Sequence, residues 1–82
     1  MFVKYEVCWG PRKGKTFTGE FALRDAVLCA REKCVNAETS ASAVVPIFGD
    51  SLLVIAVVTD DANGPTLHRL KDWPAGVDVP FE

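Results

Sequence analysis

The segment from Gly10 to Thr16 has glycines, basic residues and a threonine in nearly the order of a phosphate-binding loop. That pattern has four residues between its first glycine and the Gly-Lys-Thr. This chain has three, Pro11, Arg12 and Lys13. A phosphate-binding loop also leads into a helix whose first amides hold the phosphate, whereas a strand pattern follows Thr16. The segment therefore predicts a hairpin turn with a basic tip.

The basic tip could contact phosphate groups through Arg12, Lys13 and Lys15, while Trp9 could stack on a base. The other basic residues are interleaved with acidic ones and form no continuous stripe. The formal net charge of −2 gives the chain no general attraction to nucleic acid or to anionic membranes. Nucleic-acid binding at this turn is therefore the alternative function.

Cys8, Cys29, Cys34 and His68 are the only cysteines and histidine in the chain, and these are the usual zinc ligands. Their number matches a Cys₃His zinc site, but the sequence contains no Cys-x-x-Cys pair. Cys29 and Cys34 are five positions apart on a predicted helix, which separates them by about 140° around its axis. We expect reduced thiols that behave as small apolar residues, with no metal and no cofactor.

The turn from Thr59 to Gly64 has part of the pattern of a calcium-binding loop, but Thr59 and Leu70 occupy positions that need carboxylates. His68 is the one histidine that could act as a general base, and no serine or cysteine lies near it in the sequence. We expect no catalytic residues. A small orphan enzyme is the second alternative, and it would need a cluster that only the fold creates.

The first half of the chain predicts a β-hairpin followed by a helix. Apolar and polar residues alternate from Phe2 to Trp9 and from Thr16 to Phe21, on either side of the turn. The segment from Ala22 to Asn36 has apolar residues on one helical face and a minor apolar flank formed by Leu28 and Val35. The main face comprises Leu23, Ala26, Val27, Ala30 and Cys34.

The second half predicts another hairpin, with strands from Ser42 to Phe48 and from Leu52 to Thr59. Pro46 cannot donate to a ladder, so we expect its strand to lie at an edge or to carry a bulge. The next strand is apolar on both faces, which is typical of a central strand. The segment from Thr66 to Asp72 is either a fifth strand or a short helix. We favour the strand because so short a helix is marginal alone.

These elements predict one α+β domain over residues 1–72, with an antiparallel sheet of four to five strands and one helix on one face, in the order ββαββ. Residues 73–82 contain two prolines, a glycine and alternating apolar residues. We expect them to form an extended tail packed on the domain.

The hairpin from Ser42 to Thr59 has more apolar surface than one helix can cover, because a helix covers only one face of a sheet. If Val45, Ile55 and Val57 face the helix, the other face is left to a second apolar set, and the opposite assignment leaves a similar one. Either the tail covers this second face or a partner does. The expected partner-binding residues are Val44, Phe48, Leu52, Val54 and Val58, with Leu28 and Val35 from the helix flank.

These features favour a small non-catalytic protein-interaction module that docks on a partner and blocks or bridges it. The partner is another protein or a second copy of the chain. Small domains without motifs are common among phage and mobile-element accessory proteins, including inhibitors of bacterial defence systems, and such a role fits by size alone. The longest apolar run, Leu52 to Val58, is far shorter than a membrane span of about 20 residues. We expect a soluble, cytoplasmic chain with no membrane partner.

Overall fold

The computed structural model describes residues 4–10, 16–17, 19–47, 53–79 and 81 of the 82-residue chain. These residues form a five-stranded antiparallel sheet with one helix packed on one face, which confirms the predicted α+β class. The elements are β1 (Tyr5–Trp9), β2 (Thr16–Phe17), α1 (Leu23–Val35), β3 (Ala41–Pro46), β4 (Ala56–Asp61) and β5 (Gly64–Arg69). The strand order is β2-β1-β3-β4-β5.

The fifth strand is present, so the short-helix alternative for this segment is wrong. β5 runs from Gly64 to Arg69 and thus begins and ends earlier than the predicted Thr66 to Asp72. Gly64, with φ of +95°, starts the strand directly after the tight turn that connects it to β4. A backbone with positive φ favours glycine, so the turn between β4 and β5 ends at Gly64.

The third strand is not at an edge, which was one of the two alternatives that Pro46 suggested. β3 lies between β1 and β4 and pairs with both. Pro46 is its last residue and pairs with Tyr5 of β1, whereas pairing with β4 ends two residues earlier, at Val44. The missing proline N–H therefore falls where the ladder to β4 has already ended.

Strand register assigns each side chain to one of two faces, because neighbouring residues of a strand point to opposite sides. Val7 pairs with Val44, and Val44 pairs with Ala56. These residues have no exposed surface and belong to the core cluster that also contains buried residues of α1, so their side is the helix face. The opposite side of the sheet is called the far face.

The helix covers the centre of the helix face with small residues. Ala26, Val27, Ala30 and Cys34 are buried, as the helical periodicity predicted. The Cys34 thiol lies 3.7 Å from the carbonyl oxygen of Val58, to which it donates. Burial raises the pKa of this thiol. Cys34 is therefore a core residue of the helix–sheet interface.

The C-terminal tail packs on the helix face, beside α1 and β5. Val79 is buried in the core cluster. The ring centre of Phe81 lies 5.7 Å from the guanidinium carbon of Arg31 on α1. Asp78 lies 3.5 Å from the guanidinium of Arg69 in β5. Trp73 stacks with the same arginine, whose guanidinium carbon lies 5.1 Å from the ring centre. Within residues 73–79 and 81, the tail thus adds to the layer that the helix forms.

Within the described part of the chain, the single helix has 13 residues and is too short and too polar to traverse a bilayer.

Candidate docking groove

A groove with a cavity volume of about 350 Å³ lies on the far face of the sheet. This volume is at the lower end of the range for sites that hold a ligand or an anchoring side chain. Its lining includes Cys8, Phe17, Ala43, Val45, Val54 and Val57. Among the described residues that line it, none belongs to the C-terminal tail.

The groove follows a row of side chains across four strands. Phe17 of β2 pairs with Cys8 of β1, Cys8 pairs with Ala43 of β3, and Ala43 pairs with Val57 of β4. Paired residues in a sheet point to the same face, so this register alone brings the four side chains together. We call these four residues the far-face row. The row is concave because the small Ala43 lies between the larger Cys8 and Val57.

The far-face row and its neighbours differ in exposure, which gives the groove a floor and a wall. Val45 and Cys8 form the floor and are 4% and 9% exposed. Ala43, Val54 and Val57 are partly exposed. Phe17 is 52% exposed, the joint highest among the large apolar side chains that the structure describes as exposed. An aromatic wall beside an apolar floor is suited to an uncharged, apolar side chain of a partner.

A polar pair lies at the β5 end of the far-face row. His68 pairs with Val57, and its Nε2 atom lies 2.9 Å from Oγ1 of Thr59. Thr59 in turn pairs with Ala41 of β3. This contact was not predicted from the sequence, because Thr59 and His68 are nine residues apart and meet only through the pairing of β4 and β5. Alternation on β4 and β5 was the signal that could have found it, since both residues occupy far-face positions.

A hydroxyl within hydrogen-bond distance of an imidazole is the first requirement of a nucleophile and its base. It is not a sufficient one, because catalysis also needs an orienting group and donors for the developing charge. The Thr59–His68 contact is exposed and joins β4 to the edge strand β5. A hydroxyl and an imidazole at this place can hydrogen-bond a molecule bound in the groove.

The cysteines do not converge on a metal site. Cys8 lies on the far face, while Cys34 lies in the core on the helix face and Cys29 is half-buried on α1. In the part of the chain that the structure describes, no three His, Cys, Asp or Glu side chains are close enough to hold a metal ion.

The structure corrects the face assigned to two of the predicted partner-binding residues. Val44 and Val58 have no exposed surface and pack under the helix, so neither can contact a partner. The groove contains their neighbours instead, Val45 and Val57. A strand that is apolar on both sides has no periodic signal that distinguishes its two faces. The sequence alone therefore does not determine which alternate residues face the helix.

The remaining predicted partner-binding residues do not form one surface. Val54 lines the groove, whereas Leu28 and Val35 lie on α1, on the other side of the sheet. Val35 is 52% exposed. Phe48 and Leu52 lie outside the described residues.

The alternative nucleic-acid site depends mostly on residues that the structure does not describe, namely Arg12, Lys13 and Lys15. Trp9, its predicted stacking residue, is half-buried against the core. The ammonium of Lys33 lies 4.5 Å from the centre of its ring. One face of the indole is therefore already in a cation–π contact.

Comparisons of this chain with protein-family models, with curated proteins and with solved structures found no match. Residue chemistry and geometry are therefore the basis for assigning a function.

Proposed function

We propose that this chain is a small non-catalytic protein-interaction module, which docks a partner protein on the far-face groove. The observation that carries the proposal is the far-face row, an apolar strip that ends in the exposed ring of Phe17. The described tail residues pack on the other side of the sheet and do not line this groove.

The groove indicates the chemistry of the partner's contact residue. Its named lining has no charged side chain, so a charge placed there would lose water without gaining an opposite charge. An aliphatic or aromatic side chain would bury apolar area at about 25 cal/mol per Å² and would contact the ring of Phe17. We therefore expect the partner to insert an uncharged, apolar anchor residue.

The polar rim would fix the orientation of the partner on the apolar groove through hydrogen bonds. Thr59 and His68 offer a hydroxyl and an imidazole at the β5 end of the row. Polar rims around an apolar centre are typical of protein–protein interfaces. The module would act by occupying a surface of its partner, and would thereby block it or bridge it to another protein. The role of a phage or mobile-element inhibitor remains one form of this proposal.

The experiment is capture of partners from the native host with tagged chain, followed by mass measurement of the intact complex. Wild type and Val35→Asp should retain the same protein, whereas Phe17→Asp should lose it. The two positions are matched, because each side chain is 52% exposed. A wild-type chain that captures no partner protein, whether it is monomeric or paired with a second copy, would overturn the proposal.

A third variant separates docking from the nucleic-acid alternative. The triple variant Arg12→Ala, Lys13→Ala, Lys15→Ala removes the basic tip and leaves the described groove residues unchanged. Docking through the groove predicts that this variant still captures the protein. If the triple variant still captures the protein but no longer supports the activity of the chain in its native host, nucleic-acid binding is favoured instead.

A further inference from the structure

We propose that β5 also forms an antiparallel pair with β5 of a second copy, so that two chains share one continuous sheet. This surface lies at the edge of the sheet, next to the polar rim of the far-face groove, and it is made of backbone groups rather than apolar side chains.

The hydrogen-bond pattern shows which groups of β5 point outward. Val57 pairs with His68 and Thr59 pairs with Thr66. The N–H of Leu70 donates to the carbonyl of Ile55 on the β4 side, at 2.9 Å. In an antiparallel ladder alternate residues bond to the same neighbour, so His68 and Thr66 also face β4. The backbone groups of the residues between them, Leu67 and Arg69, therefore point away from the sheet.

Of the two sheet edges that the structure describes, the outer edge of β5 is the longer. It has six residues, whereas β2 at the opposite edge has two. Within the described residues, no strand pairs with this edge. The chain turns away directly after β5, where the N–H of Trp73 donates to the carbonyl of Leu70, and the tail continues on the helix face.

One register suits a second copy of the same strand. With Leu67 opposite Leu67 of the second copy, each Leu67 N–H donates to the other Leu67 carbonyl. Each Arg69 N–H then donates to a carbonyl of Pro65, whose own nitrogen has no hydrogen to offer. In this register both outward N–H groups of β5, those of Leu67 and Arg69, have a carbonyl acceptor in the second copy.

Charge also favours this register and a second copy as the occupant. Arg69 is the one strongly basic residue of β5, and here it faces the uncharged Pro65. His68 faces Thr66, so no like charges lie opposite each other. A register centred on His68 would instead place two imidazoles face to face. The pairing is isologous, which is the usual form of a symmetric dimer.

Sedimentation over a range of protein concentrations tests the pairing. Wild type should show a reversible monomer–dimer equilibrium. The variant Thr66→Lys, His68→Lys places lysines opposite each other at both ends of the pair, and the dimer dissociation constant should rise by about tenfold or more. Both changed side chains point to the far face and leave the ladder bonds to β4 in place. The control Val35→Lys, Ser40→Lys adds the same charge at exposed positions away from β5 and should dimerise as wild type does.

Cysteine cross-linking tests the register. Thr66→Cys, His68→Cys should form a covalent dimer under mild oxidation, linked from position 66 of one copy to position 68 of the other. The single variant His68→Cys should not cross-link at that position. A wild-type chain that remains monomeric at all concentrations, a double-lysine variant that dimerises like wild type, or a dimer linked through position 68 alone would each overturn the proposal. Phe17→Asp should leave dimerisation unchanged, which keeps this test independent of docking at the groove.

Discussion

Phe17 and Cys8 are paired across β1 and β2 on the far face, yet Phe17 is 52% exposed and Cys8 only 9%. The pair marks the boundary between the wall and the floor of the groove. β2 is the edge strand, so no further strand lies beyond Phe17 in the described sheet to shield its ring. An exposed aromatic residue next to a buried apolar floor is the arrangement found at the centres of many protein interfaces.

Val58 is a core residue in this structure, and its truncation should be costly. Val58→Ala removes apolar contacts under the helix, and we expect the free energy of unfolding to fall by about 1.5–3 kcal/mol. The exposed Val35 is the control, because Val35→Ala should change it by about 0.5 kcal/mol or less. Urea unfolding measures both. Equal, small losses would mean that Val58 does not face the helix.

Much of the fold could be predicted from the sequence because its signals are local. The helix periodicity identified the buried Ala26, Val27, Ala30 and Cys34, and the turn residues separated the strands. Pro46 predicted an edge strand or a bulge, but a proline at the last residue of a strand is also compatible with a central position. The predicted extent of β5, from Thr66 to Asp72, begins and ends later than the observed strand, because local signals are weakest at the ends of an element.

The groove could be predicted only in part. The sequence showed that one helix cannot cover both faces of the second hairpin, but the choice between Val44 and Val45 as the helix-facing residue needs the strand register. Nothing in the sequence distinguishes the two assignments, because both sets are apolar. The contact of Thr59 with His68 also depends on pairing between β4 and β5, which is not a local property.

Ala37 follows the helix in a backbone conformation that favours glycine. Its φ is +61°, and the N–H groups of Ala37 and Glu38 donate to the carbonyls of Cys34 and Lys33. These two bonds form the common motif that ends a helix with a left-handed residue. Ala37→Gly should raise the free energy of unfolding by about 0.5–1 kcal/mol in urea titrations, because the strain on the Cβ atom is removed. Ala37→Val should lower it; the reverse order would contradict the assigned helix end.

The stability of the chain should fall at alkaline pH because of two buried groups. Burial raises the pKa of Tyr5 above its ordinary value of 10.0 and that of Cys34 above 9.0. The Asp60 carboxylate raises the pKa of Cys34 further, while the hydrogen bond with Ser42 opposes the rise. Because the folded chain keeps these protons to higher pH, the unfolded chain loses them first, and rising pH then favours unfolding.

Urea unfolding of reduced protein at about pH 8 and about pH 10.5 measures this effect. The contribution of the two groups is fully present at the lower pH and is lost as the pH rises through their pKa values in the folded chain. Cys34→Ala and Tyr5→Phe should each lose less stability over this interval than wild type. Identical losses in all three proteins would show that neither group is responsible.

The most direct test of docking at the far-face groove is the dissociation constant of the purified partner complex for wild type, Phe17→Asp and Val35→Asp, measured by calorimetry. All three proteins must first show the same helix content and the same urea midpoint. A charge at Phe17 removes an exposed aromatic contact worth about 2 kcal/mol or more at such a site, so the dissociation constant should rise by about 30-fold or more. Val35→Asp, on the other side of the sheet, should leave it within about twofold. Equal affinities for wild type and Phe17→Asp, or a large loss only in Val35→Asp, would contradict docking at the groove.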